Sequence, residues 1–282
     1  MRRNDNKIMH IIEDTKKTYG LLWERSGKDV PARWHFNAMQ EVIEEPIVRG
    51  HMGIEVGSGC GYDTYIMAKA NPSITLVSMD ISDGIYNTKQ IASSLGNVRP
   101  IQCSALYIPL KNDIFDFAYS FGVLHHTPSP QKGLSEMARI LKKDSPAFLY
   151  LYENHSENII KFVALKFVAC VRAVTVHIPQ RVLYALSWII SPFVFIMFTV
   201  PAKILRRFNA TRHIAGAMPF NFGTGPFSLR GDLYDRFRAP IEYRFSRKGV
   251  HNMFRECGFR DIHITRLRDT AGWVVWGYKN AD

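Results

Sequence analysis

Gly53-Ile54-Glu55-Val56-Gly57-Ser58-Gly59-Cys60-Gly61-Tyr62-Asp63-Thr64 is the stretch whose reading decides the fold. An apolar run with an acid near its end stops at Gly57. Glycines recur at 57, 59 and 61, and a helix-compatible run from Tyr62 to Ala70 follows. The pattern predicts a buried strand, a tight turn and the opening of a helix. Glycine is required where a Cβ would strike a ligand or where φ must be positive. Thr75-Leu76-Val77-Ser78-Met79 then reads as a second buried strand ending in Asp80. A carboxylate at the tip of the second strand of a βαβ unit suits a bidentate hydrogen bond to a ribose diol, so the pair indicates a nucleoside-containing cofactor.

A dinucleotide fingerprint asks for a third glycine where Tyr62 stands. The spacing is instead acid-x-G-x-G-x-G, with Glu55 two residues before Gly57. This resembles the first motif of class I S-adenosylmethionine methyltransferases. Ile101–Ala105 reads as a third strand and Ile114–Ser120 as a fourth. The string F-D-F-A-Y-S-F-G-V-L-H-H-T-P over 115–128, and the following helix Gly133–Leu141 with Glu136 and Arg139, resemble the small-molecule methyltransferases of quinones, sterols and sugars. The resemblance covers residues 51–154. It implies an α/β fold: a seven-stranded, Rossmann-like, mostly parallel sheet with helices on both faces, here with an apolar helical insertion before the last two strands. It implies S-adenosyl-L-methionine as cofactor. Glu55, Gly57, Ser58 and Gly59 would serve it in the turn, Asp80 and Ile81 after the second strand, Ser104 and Ala105 after the third, and Phe121 and His125 after the fourth. Ser104 departs from the family, which has an acid before that alanine to hold the adenine amine. A hydroxyl accepts the same bond more weakly.

The chain divides into a helical prelude or lid (1–50), a cofactor-binding core (51–155), a helical and loop insertion (156–245), and a final helix with the last two strands (246–282). In the prelude, Tyr19 and Trp23 resemble a lid segment of such enzymes and are candidate substrate residues. Arg33-Trp34-His35-Phe36 is a second aromatic-basic cluster, and a helix is expected over Phe36–Val48. The fifth strand, Ala147–Tyr152, ends at Glu153, which lies on the rim expected to face substrate. Residues 229–245 read as a loop, with Tyr234 a candidate substrate residue and Asp235 a candidate catalytic one.

The net charge is +11, from 36 Lys and Arg against 25 Asp and Glu. Such an excess points to an anionic partner: a nucleic acid, an anionic membrane or an anionic substrate. Four scattered cysteines lack zinc spacing and fit a reduced compartment; no metal cluster stands out. The first residues are basic but contain no apolar core of signal-peptide length, so a cytoplasmic location is expected, with the inner face of the membrane as an alternative. Residues 182–202 carry no formal charge and are long enough to span a bilayer. One crossing would strand the last two strands on the far side. A two-span hairpin would bury Lys166 and Arg172 at about 2.5–3.5 kcal/mol each. An apolar cap over the site and a hairpin lying on an anionic membrane face are the stronger expectations. Pro192 predicts a bent pair of short helices.

Methyl transfer from a sulfonium is an in-line displacement that needs alignment, exclusion of water and, for a hydroxyl or acidic carbon, a base. His126 is the first candidate base. The leading reading is O- or C-methylation of a small, hydrophobic, lipid-linked or anionic acceptor. An RNA methyltransferase is an alternative, opposed by Ser120-Phe121-Gly122-Val123 where nucleic-acid amine methyltransferases have a proline-proline-aromatic motif. A non-catalytic membrane-docking protein of the same fold and a nicotinamide oxidoreductase are the others.

Overall fold

The computed structural model describes residues 2–25, 29–267 and 272–281. It forms two compact units, Met1–Phe162 with Pro240–Asp282, and Val163–Ala239. In chain order the first unit holds α1 (Arg2–Glu24), α2 (His35–Gln40), β1 (Met52–Val56), α3 (Tyr62–Ala70), β2 (Thr75–Asp80), α4 (Gly84–Ile91), β3 (Val98–Gln102), β4 (Phe117–Phe121), α5 (Pro130–Ile140) and β5 (Pro146–Leu151). α6 (Ile159–Thr175) begins at its end. The second unit continues with α7 (Gln180–Val194), α8 (Val200–Leu205), α9 (Arg212–Ala217) and α10 (Arg230–Arg238). α11 (Arg247–Glu256), β6 (Phe259–Arg266) and β7 (Trp273–Lys279) complete the first.

The seven strands form one sheet in the order β3-β2-β1-β4-β5-β7-β6. β1 to β5 are parallel, while β7 runs antiparallel to both β5 and β6. Parallel strands covered on both faces read as continuous apolar runs, and every residue of β5 is buried. Alternation splits each strand between two cores. Ala118, Ala147 and Leu149 join one cluster with Leu134 and Val250 of the flanking helices. Phe117, Tyr119, Phe148 and Tyr150 join the other with Met39 and Met67. β1 connects outward to β2 on one side and β4 to β5 on the other, so a crevice opens between the carboxyl ends of β1 and β4.

Several elements depart from the sequence expectation. β3 lies three residues earlier: its register runs from Leu76↔Val98 to Asp80↔Gln102, and it ends where its partner ends. The helix expected to Val48 stops at Gln40. The Gln40 amide donates to Glu45 O and accepts Ile47 N–H, folding 40–47 into a loop that Pro46 could not enter as a helix. Residues 230–238, expected as loop, are helical. The apolar segment stays helical through Pro192, and the irregularity comes later, as a π turn over Phe195–Thr199.

The β1 entry is held by Asp116. Its Oδ2 accepts the N–H groups of His51 (2.7 Å) and Met52 (2.9 Å), and Oδ1 accepts Lys142 Nζ at 2.6 Å. Asp116→Ala removes the acceptor of two backbone donors at the start of central strand β1 and should cost about 2 kcal/mol. A lower urea midpoint at unchanged slope is the expected result.

Candidate active site

The turn after β1 is built by three left-handed glycines: Gly57 (φ +85°), Gly59 (+55°) and Gly61 (+88°). Side chains are disfavoured there by conformation and by space. A Cβ on Gly57 would lie 2.2 Å from Val123, and one on Gly61 would lie 2.6 Å from the Thr88 backbone. The N–H groups of Gly57 and Ser58 donate to Met79 O at 2.7 and 2.9 Å, and Ser58 Oγ lies 3.1 Å from Thr88 Oγ1. Gly59 N–H reaches Asp80 Oδ2 at 2.8 Å. Asp80 Oδ1 accepts Ser82 N–H and Oγ–H at 2.8 and 2.6 Å. The acid at the tip of β2 is thus oriented beside the glycine turn, with Ile81 half-buried next to it.

Glu55 sits beneath the turn rather than in the crevice. It is 2% exposed and accepts Thr64 Oγ1 of α3 and, at 3.1 Å, Ser78 Oγ of β2. It ties strand, helix and neighbouring strand together. Asp63 is buried nearby, accepting Phe36 N–H at 2.8 Å and Tyr119 Oη at 3.1 Å. Burial first, and then the proximity of Asp63, pushes the Glu55 carboxyl up from its ordinary range. Burial likewise raises Asp63.

A chain of aromatic rings follows the rim. Trp34 meets Tyr62 edge-on at 5.2 Å and His35 at 4.6 Å. His35 stacks on Phe121 at 4.1 Å, and Phe121 stacks on Tyr150 at 4.3 Å. Tyr150 leads to Tyr152 (6.0 Å), Tyr152 to His125 (3.8 Å), and His125 to His126 (4.3 Å). His126 faces Tyr19 at 5.4 Å, and Tyr19 stacks with Trp23 at 6.5 Å. Trp23 closes over the glycine turn: a Cβ on Gly59 would lie 2.9 Å from its indole, and its carbonyl accepts Asn87 Nδ2 at 2.6 Å. The lid residues are therefore part of the rim.

The two histidines differ. Ile241 O can only accept, so His126 Nδ1, 2.9 Å away, carries a proton, and the tautomer this selects for the neutral ring has its lone pair on Nε2. His125 is fully buried, and neither ring nitrogen has a hydrogen-bond partner among the described residues. Burial, then the neighbouring His126, holds it well below the usual imidazole range, so it stays neutral.

The remaining candidates are placed otherwise. Ser104 Oγ accepts Leu106 N–H at 3.2 Å in the turn after β3, and Ala105 packs in the core. Glu153 is engaged by Arg266 through two bonds of 2.7 and 3.1 Å, so its carboxylate faces the protein's own cation. Arg33 pairs with Glu41. Tyr234 and Asp235 belong to α10 in the second unit, where the Tyr234 ring packs on Tyr184 at 5.4 Å. The rim is built without them. Sequence reading missed Tyr150 and Tyr152; their i, i+2 spacing at the end of β5, which puts both on one sheet face, was the available signal.

Residues 54–149 match a family model described as a methyltransferase domain. The chain is 32% identical over 94 residues to the tRNA (carboxymethyluridine(34)-5-O)-methyltransferase of Saccharomyces cerevisiae, covering 33% of this chain and 32% of that protein. It is 28% identical over 122 residues to 2-methyl-6-phytyl-1,4-hydroquinone methyltransferase 1 of Oryza sativa, covering 42% of this chain and 37% of that one. The chain thus spans roughly a third of the length of these curated relatives. Human N-acetylserotonin methyltransferase, solved with S-adenosylmethionine, superposes with a TM-score of 0.50 at 11% identity over 87% of this chain and 52% of that one. Residues 54–149 are thus similar to a methyltransferase domain, and the sheet order is that of the superposed S-adenosylmethionine-bound structure's fold.

The raised Glu55 carboxyl has a signed consequence. The folded state keeps a proton that the unfolded chain releases near the ordinary value of 4.5. Stability therefore falls as pH rises above that value towards the raised folded pKa. Glu55→Gln should flatten this slope in urea midpoints taken between mildly acidic and mildly alkaline pH. An unchanged slope would place the titrating group elsewhere.

Proposed function

We propose that this chain transfers a methyl group from S-adenosyl-L-methionine to oxygen or carbon of a small, hydrophobic acceptor carrying a planar ring or lipid tail. The observation that carries the reading is the aromatic rim, which runs without a break from Tyr62 to Trp23 and holds a base-ready histidine. When bound, the cofactor supplies an electrophilic methyl on a cationic sulfur. Aromatic faces attract such cations without neutralising them chemically. Gly57 and Gly59, with Val123 and Trp23 packed against them, would face its aminoacyl part; Asp80, which already accepts from Gly59 and Ser82, would take the ribose, and the Ser104 hydroxyl the adenine amine.

Phe121, stacked between His35 and Tyr150, and Tyr152, packed on His125, give an apolar acceptor a rigid aromatic wall to lie against. His125, neutral and without a hydrogen-bond partner among the described residues, would donate one hydrogen bond to a polar atom of an acceptor that enters between it and its neighbouring rings. His126 Nε2 takes the acceptor's proton while Nδ1 stays anchored on Ile241 O. Trp23 and Tyr19 exclude water. Alignment of this kind is worth roughly 7–11 kcal/mol, and a positioned base about a hundredfold to ten-thousandfold.

A nucleic-acid acceptor is a second reading, favoured by the tRNA methyltransferase activity for which the yeast relative is named and by the +11 charge. Transfer of tritiated methyl groups from S-adenosylmethionine into a lipid extract, a panel of quinols and phenols, and bulk tRNA separates the two. The proposal expects label in an organic-soluble product. It also expects His126→Ala to lower turnover at least about a hundredfold with cofactor binding retained, and His125→Phe to raise the acceptor KM without lowering the melting temperature. Label in tRNA alone, or full turnover by His126→Ala, overturns it.

A further inference from the structure

The long helix of the second unit carries its polarity inverted. α7, the π turn and α8 form one rod, Gln180–Leu205, of mean hydropathy 2.0 over its most apolar window. The positions it buries include Ser187, Ser191, Thr199 and Ala202. Ser191 Oγ donates to Pro226 O at 2.7 Å, Ser187 Oγ to Tyr184 O at 2.7 Å, and Thr199 Oγ1 to Phe220 O. The positions it exposes are apolar: Ile189 63%, Phe193 67%, Ile196 65% and Met197 63%. A helix on the surface of a water-soluble fold does the reverse. So large an apolar face marks an interaction surface.

Charge identifies the occupant. Residues 158–231 contain nine Lys and Arg and no Asp or Glu, leaving 27 against 25 for the rest of the chain. Most of the +11 therefore lies in this segment. Arg181 opens the rod; Lys203, Arg206 and Arg207 close it. Lys203 Nζ lies 5.2 Å from the Phe195 ring, and the Arg230 guanidinium 5.0 Å from the Trp188 ring. Aliphatic side chains beside cations and an indole are the composition of a helix lying at a lipid headgroup boundary. A nucleic acid offers phosphates to the arginines but nothing to Ile189, Ile196 and Met197.

Chain connectivity favours lying on the bilayer over crossing it. Phe162 and Pro240, at the two ends of the insertion, belong to one unit with a continuous sheet, so any crossings must be even in number. The rod is the one helix long and apolar enough to span among the described residues. α6 carries Lys161, Lys166 and Arg172 within 17 residues and does not supply a return span.

We propose that Gln180–Leu205 is an in-plane anchor that docks this chain on an anionic phospholipid bilayer. The inference does not depend on methyl transfer, because binding is read without cofactor or acceptor. The test is flotation of the full chain with phosphatidylcholine vesicles, with and without phosphatidylglycerol. The expected result is flotation with the anionic vesicles, weakened by salt. Arg206→Glu with Arg207→Glu should lower partitioning at least about thirtyfold. Ile189→Glu with Phe193→Glu should abolish it at any salt. Unchanged circular dichroism and unfolding transitions certify both variants as folded. An alkaline carbonate wash should release the wild-type protein. Three results overturn the proposal: no flotation of folded wild-type protein, retention after carbonate, or flotation indifferent to Ile189 and Phe193. A tRNA gel shift lost on the arginine reversals, without any flotation, would assign the surface to nucleic acid instead.

Discussion

The backbone must turn through three left-handed residues between β1 and α3, and only glycine does so without strain. Much else in the first unit is arranged around that turn. Glu55 pins the strand beneath it to α3 and β2. Asp80 receives the Gly59 N–H from the side, Val123 packs where a Gly57 side chain would stand, and Trp23 packs where a Gly59 side chain would stand. Two adjacent strand ends, the loop after β4 and the N-terminal helix thus meet at one point. A side chain at Gly57 would strike the loop after β4, one at Gly59 the N-terminal helix and one at Gly61 the backbone of α4.

Burial divides the polar groups of the site by role. Glu55 and Asp63 lie under the turn with protein partners, and Glu153 is joined to Arg266. These three lie under or away from the turn and hold the scaffold, whereas Asp80, also bonded by Gly59 and Ser82, stands at the strand end beside the turn itself. The histidine pair is different: one ring is fixed by a carbonyl with its other nitrogen basic, and the other is neutral with both nitrogens unpartnered among the described residues. An orphaned buried donor costs about 1–3 kcal/mol. A site that binds a polar group there recovers that cost only when occupied. The reading of His125 as an acceptor-orienting residue rests on this asymmetry.

The turn, Asp80, and the strand that runs into the histidine pair were legible because each is local: a glycine spacing, an apolar run, an acid at its tip. The same holds for the seven strands and the apolar insertion. What was not legible depends on partners distant in sequence. The ends of β3 follow from its pairing with β2, not from its own residues. α2 stops early because one glutamine side chain folds the following residues back. The aromatic rim joins Tyr19, His35, Tyr150 and His126, which only the packed sheet brings side by side. Glu153 reads as a free rim carboxylate until Arg266, 113 residues later, reaches it. The inverted face of the long helix is equally invisible in composition, since a buried apolar helix and a lipid-facing one share the same residues and differ in which side is covered.

The central claim is that the glycine turn and its rim form a working S-adenosylmethionine site although serine stands at position 104. Calorimetric titration of the purified full chain with S-adenosylmethionine, with NADH as control, tests it most directly. Saturable binding of the first at one site per chain, with no heat from the second, is the expected result. A folded chain that binds neither, or that binds NADH in preference, would contradict it.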